Sequence, residues 1–520
     1  MSSRPSTPGR LAVPEPGRRE DPATAQPADV RETHTSVVFF VEDHVYKRKK
    51  PVDLGFVDYT TWSSRRAVCE REIELNRRFA PDVYMGLGEL RTPGEQDPEP
   101  LVVMRRMPDD RRLSHLVRTG APVEDPLRAV ARELAAWHAV APRGPGIAAQ
   151  GTREALASRW EANFAHVDAM ASDGPRPDEP AEVERLVRRY LAGRTSLFDL
   201  RIEQGRVLDG HGDLLADDIF CLDDGPRILD CLEFDDRLRY IDGLDDAAFL
   251  AMDLEQLGAP ESAAFFLAQY SEYSADAAPP SLWHHYVAYR AFVRAKVAMI
   301  RARQGAPGAQ AAARRLVLTA LRHLRASAVG LTLVAGLPGT GKSTLSGALA
   351  DRLGAVLLSS DRVRKEMAGL SSQHTAAADY REGLYTPEWT ARTYAELLDR
   401  AAALLAVGES VVLDASWIDS AQREAARQTA EHAHADLVAL HCHVPADLAA
   451  ARLNTRSPGV SDADVGVADA MAAEEQPWPE AVSVDTSGAL GSAVAQALAS
   501  VRPWGADQAK VFRRPYMEPG

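Results

Sequence analysis

Residues Gly336-Leu-Pro-Gly339-Thr340-Gly341-Lys342-Ser343-Thr344 fit the pattern G-x-x-x-x-G-K-[ST] and stand between a strand-like run, Leu331 to Ala335, and a helical pattern from Lys342 to Leu353 that Gly354 is expected to cap. Glycines let the backbone wrap and turn its N–H groups inward, and the first turn of the helix adds positive potential. A lysine at the seventh position reaches the outer phosphates of a bound nucleotide, and the hydroxyl after it suits a magnesium ion. Gly336, Gly339, Thr340, Gly341, Lys342, Ser343 and Thr344 are therefore read as the phosphate-binding residues, with Ser343 also a metal ligand. Further strands at Val356 to Leu358, Val411 to Leu413, Leu437 to Cys442 and Val482 to Val484 alternate with helical segments. Such alternation predicts a three-layer α/β unit around a mainly parallel sheet.

That unit is only the C-terminal portion of 520 residues, a length that calls for two or three domains. Residues 1–30 alternate proline with charge and read as a disordered tail, and so does 502–520. Between them the sequence divides into 31–326 and 327–501. The first division opens with a hairpin, Val37 to Val41 and Val45 to Lys49, then a helix at about Ser63 to Phe79 and a strand at Leu101 to Met104. It becomes mainly helical after Pro108, apart from a second hairpin around Asp223-Asp224-Gly225-Pro226. A Gly, Pro and Ala segment at Gln304 to Ala313 precedes the last helix of this half.

A hydrophobic content of 45% with 26% charged residues excludes collagen-like, wholly disordered and membrane-embedded classes. The net charge of −14 argues against nucleic acid or an anionic bilayer as partner. No signal-peptide core and no run of apolar residues of membrane-spanning length is present, which predicts a cytoplasmic protein. Cys69, Cys221, Cys231 and Cys442 show neither C-x-x-C pairing nor regular spacing, so reduced, buried thiols are expected. Only seven of the 60 basic residues are lysines, and three of them, Lys47, Lys49 and Lys50, crowd one strand.

In the C-terminal half, Ser359-Ser360-Asp361-Arg362-Val363-Arg364 puts a carboxylate just past the second strand, and Val411-Val-Leu-Asp414 ends the third strand with another. Ligands sit at that edge of a parallel sheet. With the phosphate loop, these segments resemble the AAA-type P-loop kinases related to gluconate kinase, chloramphenicol phosphotransferase and zeta-type toxins. The resemblance implies that Asp361 is the catalytic base, Arg364 an acceptor or phosphate contact, and Asp414 a support for magnesium. It also implies a lid whose Arg452 and Arg456 neutralise charge on the transferred phosphoryl group; Arg423 lies on the helix after Asp414. His441 and His443 flank Cys442 without a matching carboxylate or cysteine cluster and read as structural.

The first half carries His211-Gly212-Asp213 and, 17 residues beyond that aspartate, Asp230 in Ile228-Leu-Asp230-Cys-Leu-Glu233. Two carboxylates on either side of a hairpin suit phosphoryl transfer, one accepting the proton of the acceptor hydroxyl and the other holding magnesium. Together with the lysine-bearing strand, this resembles the aminoglycoside and choline-kinase-like (APH) phosphotransferases over about Thr35 to Arg325. The implied fold is an α+β, bilobal, protein-kinase-like one. The implied roles are Asp213 as catalytic residue, Asp218 and Asp230 as magnesium ligands, and Lys47 with Glu72 as the ATP-binding pair, Lys49 and Glu70 being rivals. The family writes H-G-D-L-H-x-x-N where this chain has Leu215 and Asp218, and no glycine-rich loop joins the first two strands. Asp242, Asp245 and Asp246 read as helix capping and a solvated acidic face as readily as anything catalytic.

The combined expectation is an ATP- and Mg2+-dependent phosphotransferase, bifunctional, acting on a hydroxyl of a small molecule. The alternatives are a regulatory protein with a degenerate N-terminal kinase-like domain and an active P-loop ATPase, and, third, a polynucleotide kinase.

Overall fold

The computed structural model describes residues 29–33, 35–53, 55, 57–91, 97–170, 178–371, 381–455 and 464–501. The chain divides into two compact units, one of residues up to Ile73 with Asp82–Arg106, the other of Glu74–Pro81 with everything from Met107.

The first unit is a five-stranded antiparallel sheet of β1 (Asp29–Glu32), β2 (Ser36–Val41), β3 (His44–Lys49), β4 (Tyr84–Leu90) and β5 (Glu99–Arg105), in the order β1-β2-β3-β5-β4. The β2–β3 hairpin pairs Val41 with His44 across a two-residue turn at Glu42-Asp43, Glu42 having φ +50°. The sheet begins at Asp29, so Asp29 and Val30, placed by the sequence in the tail, belong to a strand. β4 was not foreseen. Its glycines weaken the strand pattern, but Gly88 is required by packing, since a Cβ there would lie 2.7 Å from Val103 Cγ2 on β5.

The second unit starts with helices and two small β elements. β6 (Val207–Asp209) pairs with β9 (Tyr240–Asp242), and β7 (Ile219–Leu222) with β8 (Gly225–Ile228), all antiparallel. The long helix Pro280–Arg303 buries an aromatic stripe of Trp283, Tyr286, Tyr289 and Phe292. Helix Ala309–Ala326 takes in the latter portion of the Gly, Pro and Ala segment.

The same unit continues into a five-stranded, wholly parallel sheet. Its strands are β10 (Gly330–Ala335), β11 (Val356–Ser359), β12 (Val411–Asp414), β13 (Asp436–His443) and β14 (Val482–Asp485), in the order β11-β12-β10-β13-β14. β10 is central, and Leu331 to Ala335 are all buried, as a strand covered on both faces requires. Helix Lys342–Leu353 begins at Gly341 (φ +85°) and ends at Gly354 (φ +62°), the left-handed C-terminal residue the sequence called for. The fold classes are thus α+β followed by α/β with a parallel sheet. Among the described residues no helix is long and apolar enough to cross a membrane. All four cysteines are buried.

Candidate functional site

The phosphate loop leaves the end of β10 with Gly336, Gly339 and Gly341 at φ +147°, +82° and +85°. Any other residue would be strained at all three, and at Gly336 and Gly339 it would also collide. A Cβ on Gly336 would lie 2.6 Å from Thr340 Oγ1 and 3.0 Å from the Cys442 carbonyl oxygen; one on Gly339 would lie 2.6 Å from the Ala449 carbonyl oxygen. Thr340 fastens the loop from within, donating to the Leu337 carbonyl at 2.8 Å. Lys342 and Ser343 open the helix that follows, with Thr344 exposed on its first turn.

Asp414, the last residue of β12, lies in register with Val334 of β10 and Ser359 of β11. Burial pushes its carboxyl above the usual range, while the Lys342 ammonium and the Ser343 and Ser359 hydroxyls act in the opposite sense. Its Oδ1 is buried with no hydrogen-bond partner. A carboxylate oxygen left open beside a serine hydroxyl fits a hard, oxygen-seeking cation such as magnesium.

Asp361 sits in the first turn of helix Ser360–Met367, close enough for its charge to act on Asp414. Arg364, one turn on, is buried over the Tyr385 ring at 4.4 Å, and its Nε has no hydrogen-bond partner. Arg452 flanks the loop, its Nη1 3.4 Å from where a Gly341 Cβ would lie, and its Nη2 donates to the Thr486 carbonyl at 2.9 Å. Arg456 lies outside the described residues. Arg423 is a structural residue: it donates to the carbonyls of Trp417, Ile418, Gln476 and Pro477 and stacks on Trp478 at 4.5 Å. His441 bonds Glu475 at 3.0 Å and His443 bonds Ser483 at 2.9 Å.

In the helical segment, the loop after β6 carries His211-Gly212-Asp213. His211 is wholly buried, its Nε2 3.0 Å from the Leu229 carbonyl. The backbone of Asp218 lies opposite that of Leu229, the neighbour of Asp230, Leu229 N–H donating to the Asp218 carbonyl at 2.9 Å. Asp230 has φ +63°, a left-handed conformation costly for a non-glycine residue and concentrated at functional sites. Burial pushes the Asp213 carboxyl up to about 6; Arg294 and Arg290 oppose that, and Asp230 and Asp253 add to it. Leu215 packs against the apolar core. Among the described residues no group of three or more His, Cys, Asp or Glu could hold a metal. A pair of carboxylates is nonetheless the protein's usual share where phosphates complete the shell of magnesium.

In the antiparallel unit, the period-two geometry of β3 places Lys47 and Lys49 on one face. Both reach Glu72 of helix Trp62–Asn76, Lys47 at 2.9 Å and Lys49 at 2.7 Å. Lys49 and Glu72 are fully enclosed, while Lys47 keeps 15% side-chain exposure. Glu70 pairs with Arg66 at the surface instead. The two lysine candidates therefore share one carboxylate.

Comparison with known proteins decides the family. The uncharacterized protein Rv2004c of Mycobacterium tuberculosis (strain H37Rv) is 44% identical over 479 residues, 92% of this chain and 96% of its own. The chain belongs to the Rv2004c family. Residues 331–477 also match the AAA_33 family, described as an AAA domain. Solved structures align with portions of the chain, among them the following two. A gluconokinase from Sinorhizobium meliloti 1021 is 20% identical, covering 34% of this chain and 92% of its own, with a TM-score of 0.26. A choline/ethanolamine kinase family protein from Mesorhizobium loti is 14% identical, covering 58% and 94%, with a TM-score of 0.36.

This Rv2004c-family chain contains two groups that sequence reasoning missed. Asp242 does cap the helix Gly243–Gln256, accepting from Leu244 N–H at 2.9 Å. Asp245 and Asp246, however, are buried rather than on a solvated face. Asp246 accepts from the N–H groups of His211 at 2.6 Å and Gly212 at 2.9 Å, and His138 Nε2 stands 3.1 Å away. Although burial works the other way, His138 and His211 hold its carboxyl well below the usual range. Asp245 takes a bidentate bond from Arg290 at 2.7 and 2.8 Å. Arg294, the second missed group, follows Arg290 by one helical turn, on the same face and beside Asp213 and Asp253.

Proposed function

We propose that this chain is an ATP-dependent phosphotransferase whose P-loop half moves the γ-phosphoryl group to a hydroxyl of a small molecule. The observation carrying the proposal is the gathering of Lys342, Ser343 and the open Asp414 Oδ1 at one end of the parallel sheet, with Asp361 beside them. In this reading the loop amides and Lys342 hold the outer phosphates, and Ser343 and Asp414 hold magnesium, directly or through its waters. Magnesium, when bound, would neutralise charge between the β- and γ-phosphates. Asp361 takes the proton of the acceptor hydroxyl as that oxygen bonds to the γ-phosphorus and the bond to the β-phosphate oxygen breaks, leaving ADP. Arg364, buried with a spare donor, and Arg452 contact acceptor or phosphate. A transfer screen over sugars, amino sugars, nucleosides and antibiotics with labelled ATP tests this. Transfer to one of them, lost in Asp361→Ala, is expected, and no transfer or hydrolysis by the wild type under any condition would falsify it.

The same class of reaction is proposed for the N-terminal half, with Asp213 as base, Asp218 and Asp230 as metal ligands, and Lys47 with Glu72 for the nucleotide. A base with its pKa near 6 is ionised at neutral pH and protonated below. In a Lys342→Ala background, which silences the P-loop half, ATP turnover should fall about tenfold per pH unit below about 6. Arg294→Gln removes a charge that opposes the effect of burial, so this limb should move to higher pH, with Arg294→Lys restoring it. An unmoved limb would remove Arg294 from the account.

A second reading makes this half a regulatory nucleotide-binding module. It is favoured by Leu215, which packs into the core at the position where the family places a polar histidine. Magnesium-dependent nucleotide binding that survives in the Lys342→Ala protein without any turnover would select it.

A further inference from the structure

The parallel sheet and the helical segment that carries Asp213 meet at the end of the sheet remote from the phosphate loop. β10 to β13 begin there, and over the six residues of β10 the loop lies roughly 20 Å away. Two glycines allow the approach. A Cβ on Gly193, at the end of helix Asp178–Ala192, would run into the Ala433 carbonyl oxygen and lie 3.2 Å from His434 Cβ, just ahead of β13. Gly408, just ahead of β12, has φ +86°, and a Cβ there would lie 2.7 Å from Ser281 Oγ, 3.1 Å from Pro279 Cγ and 3.2 Å from Leu197 Cδ2.

Polar groups seal the contact. Ser281 Oγ donates to the Gly408 carbonyl at 2.7 Å, Arg194 Nη1 donates to the Ala433 carbonyl at 2.9 Å, and Arg189 pairs with Asp436 at 2.6 Å. Arg194 and Ser281 are buried. Around them a single apolar core is continuous from Leu197, Phe198 and Leu282 to Leu331, Ala430 and Ala435. Contacts between separable domains are usually more polar than this and leave them free to move. Ser281 opens the long helix Pro280–Arg303, and on that same helix Arg290 holds Asp245 and lies 3.4 Å from the Gly212 carbonyl. One rigid element thus joins the sheet's underside to the loop that carries Asp213.

We propose that the dock makes a single cooperative unit of the helical segment and the parallel sheet, so that nucleotide taken up at residues 336–344 stabilises the helices under Asp213 as well as the sheet. The proposal rests on the phosphate loop binding nucleotide, as argued above. Whatever binds only the folded form suppresses every opening that destroys its site. If the sheet opens only together with the helices, amides in both are protected equally.

Hydrogen exchange on the full chain tests this, with MgADP as the probe at ~100 times its Kd, where exchange through the shared opening slows ~100-fold. Slowing is expected both in helix Lys342–Leu353 and in residues 187–194 and 282–292. Run in an Asp230→Ala background, which removes a metal ligand proposed for the N-terminal half and leaves the phosphate loop intact, the slowing should persist in all three and should disappear from all three when Lys342→Ala is added. Slowing confined to helix Lys342–Leu353 would overturn the coupling while leaving nucleotide binding in place, and no slowing anywhere would overturn both. Gly408→Val gives an independent reading. It should split one unfolding transition into two and abolish the remote protection, whereas remote protection retained in a folded Gly408→Val protein would count against the dock as its route.

Discussion

Lys342→Ala should lower ATP turnover at the phosphate loop by about 10²–10³-fold, the usual loss when one preorganised donor to a developing charge is removed. The ammonium stands at the start of helix Lys342–Leu353, acts directly on the buried Asp414 carboxyl, and is only half-buried itself. Its removal therefore takes charge from the site without opening a core cavity, and the melting temperature should change little. Turnover measured in an Asp213→Ala background confines the readout to this site. Retention of most of the turnover there would mean that the loop does not handle the reacting phosphates.

The second large effect is on stability. Asp246→Ala should destabilise the second unit by about 3–5 kcal/mol, the range for removing one partner of a buried charged network. The carboxylate accepts from the backbone N–H groups of His211 and Gly212 and faces His138, which is itself 2.8 Å from the Tyr270 hydroxyl. An alanine leaves those two N–H groups buried without an acceptor. Asp246→Asn keeps one acceptor oxygen in place and should recover some of the loss. Denaturant unfolding checks both variants, and a change under 1 kcal/mol for the alanine would show that the loop is held by other means. Because the same loop carries Asp213, the folded fraction of either variant should lose turnover in the Lys342→Ala background.

Local patterns were legible, and pairings across the chain were not. The phosphate loop announces itself because its chemistry is contained in nine consecutive residues, and Gly354 could be placed because a helix stop depends on its neighbours alone. The hairpin between Asp218 and Asp230 was legible for the same reason. Asp246 was not, because its meaning comes from His138, 108 residues earlier. With only the local run Asp242 to Asp246 in view, capping was a complete explanation, and for Asp242 it is the correct one. The rivalry between Lys47 and Lys49 could not be resolved because alternation put both on the right face, and the structure lets both meet Glu72. β4 was hidden by glycines whose reason, the approach of β5, is tertiary.

The placement of the lysines has a practical consequence. Lys47 and Lys49 are held by Glu72, Lys50 by Glu32, Lys296 by Asn163, and Lys365 is enclosed. None of the six described lysines, Lys342 included, is exposed. An acylating reagent meeting the folded protein would find few open amines among them, whereas arginines such as Arg185, Arg188, Arg237 and Arg427 stand exposed. Surface attachment or cross-linking through lysine would therefore report poorly on the described residues, and carboxylate- or guanidine-directed chemistry would report better.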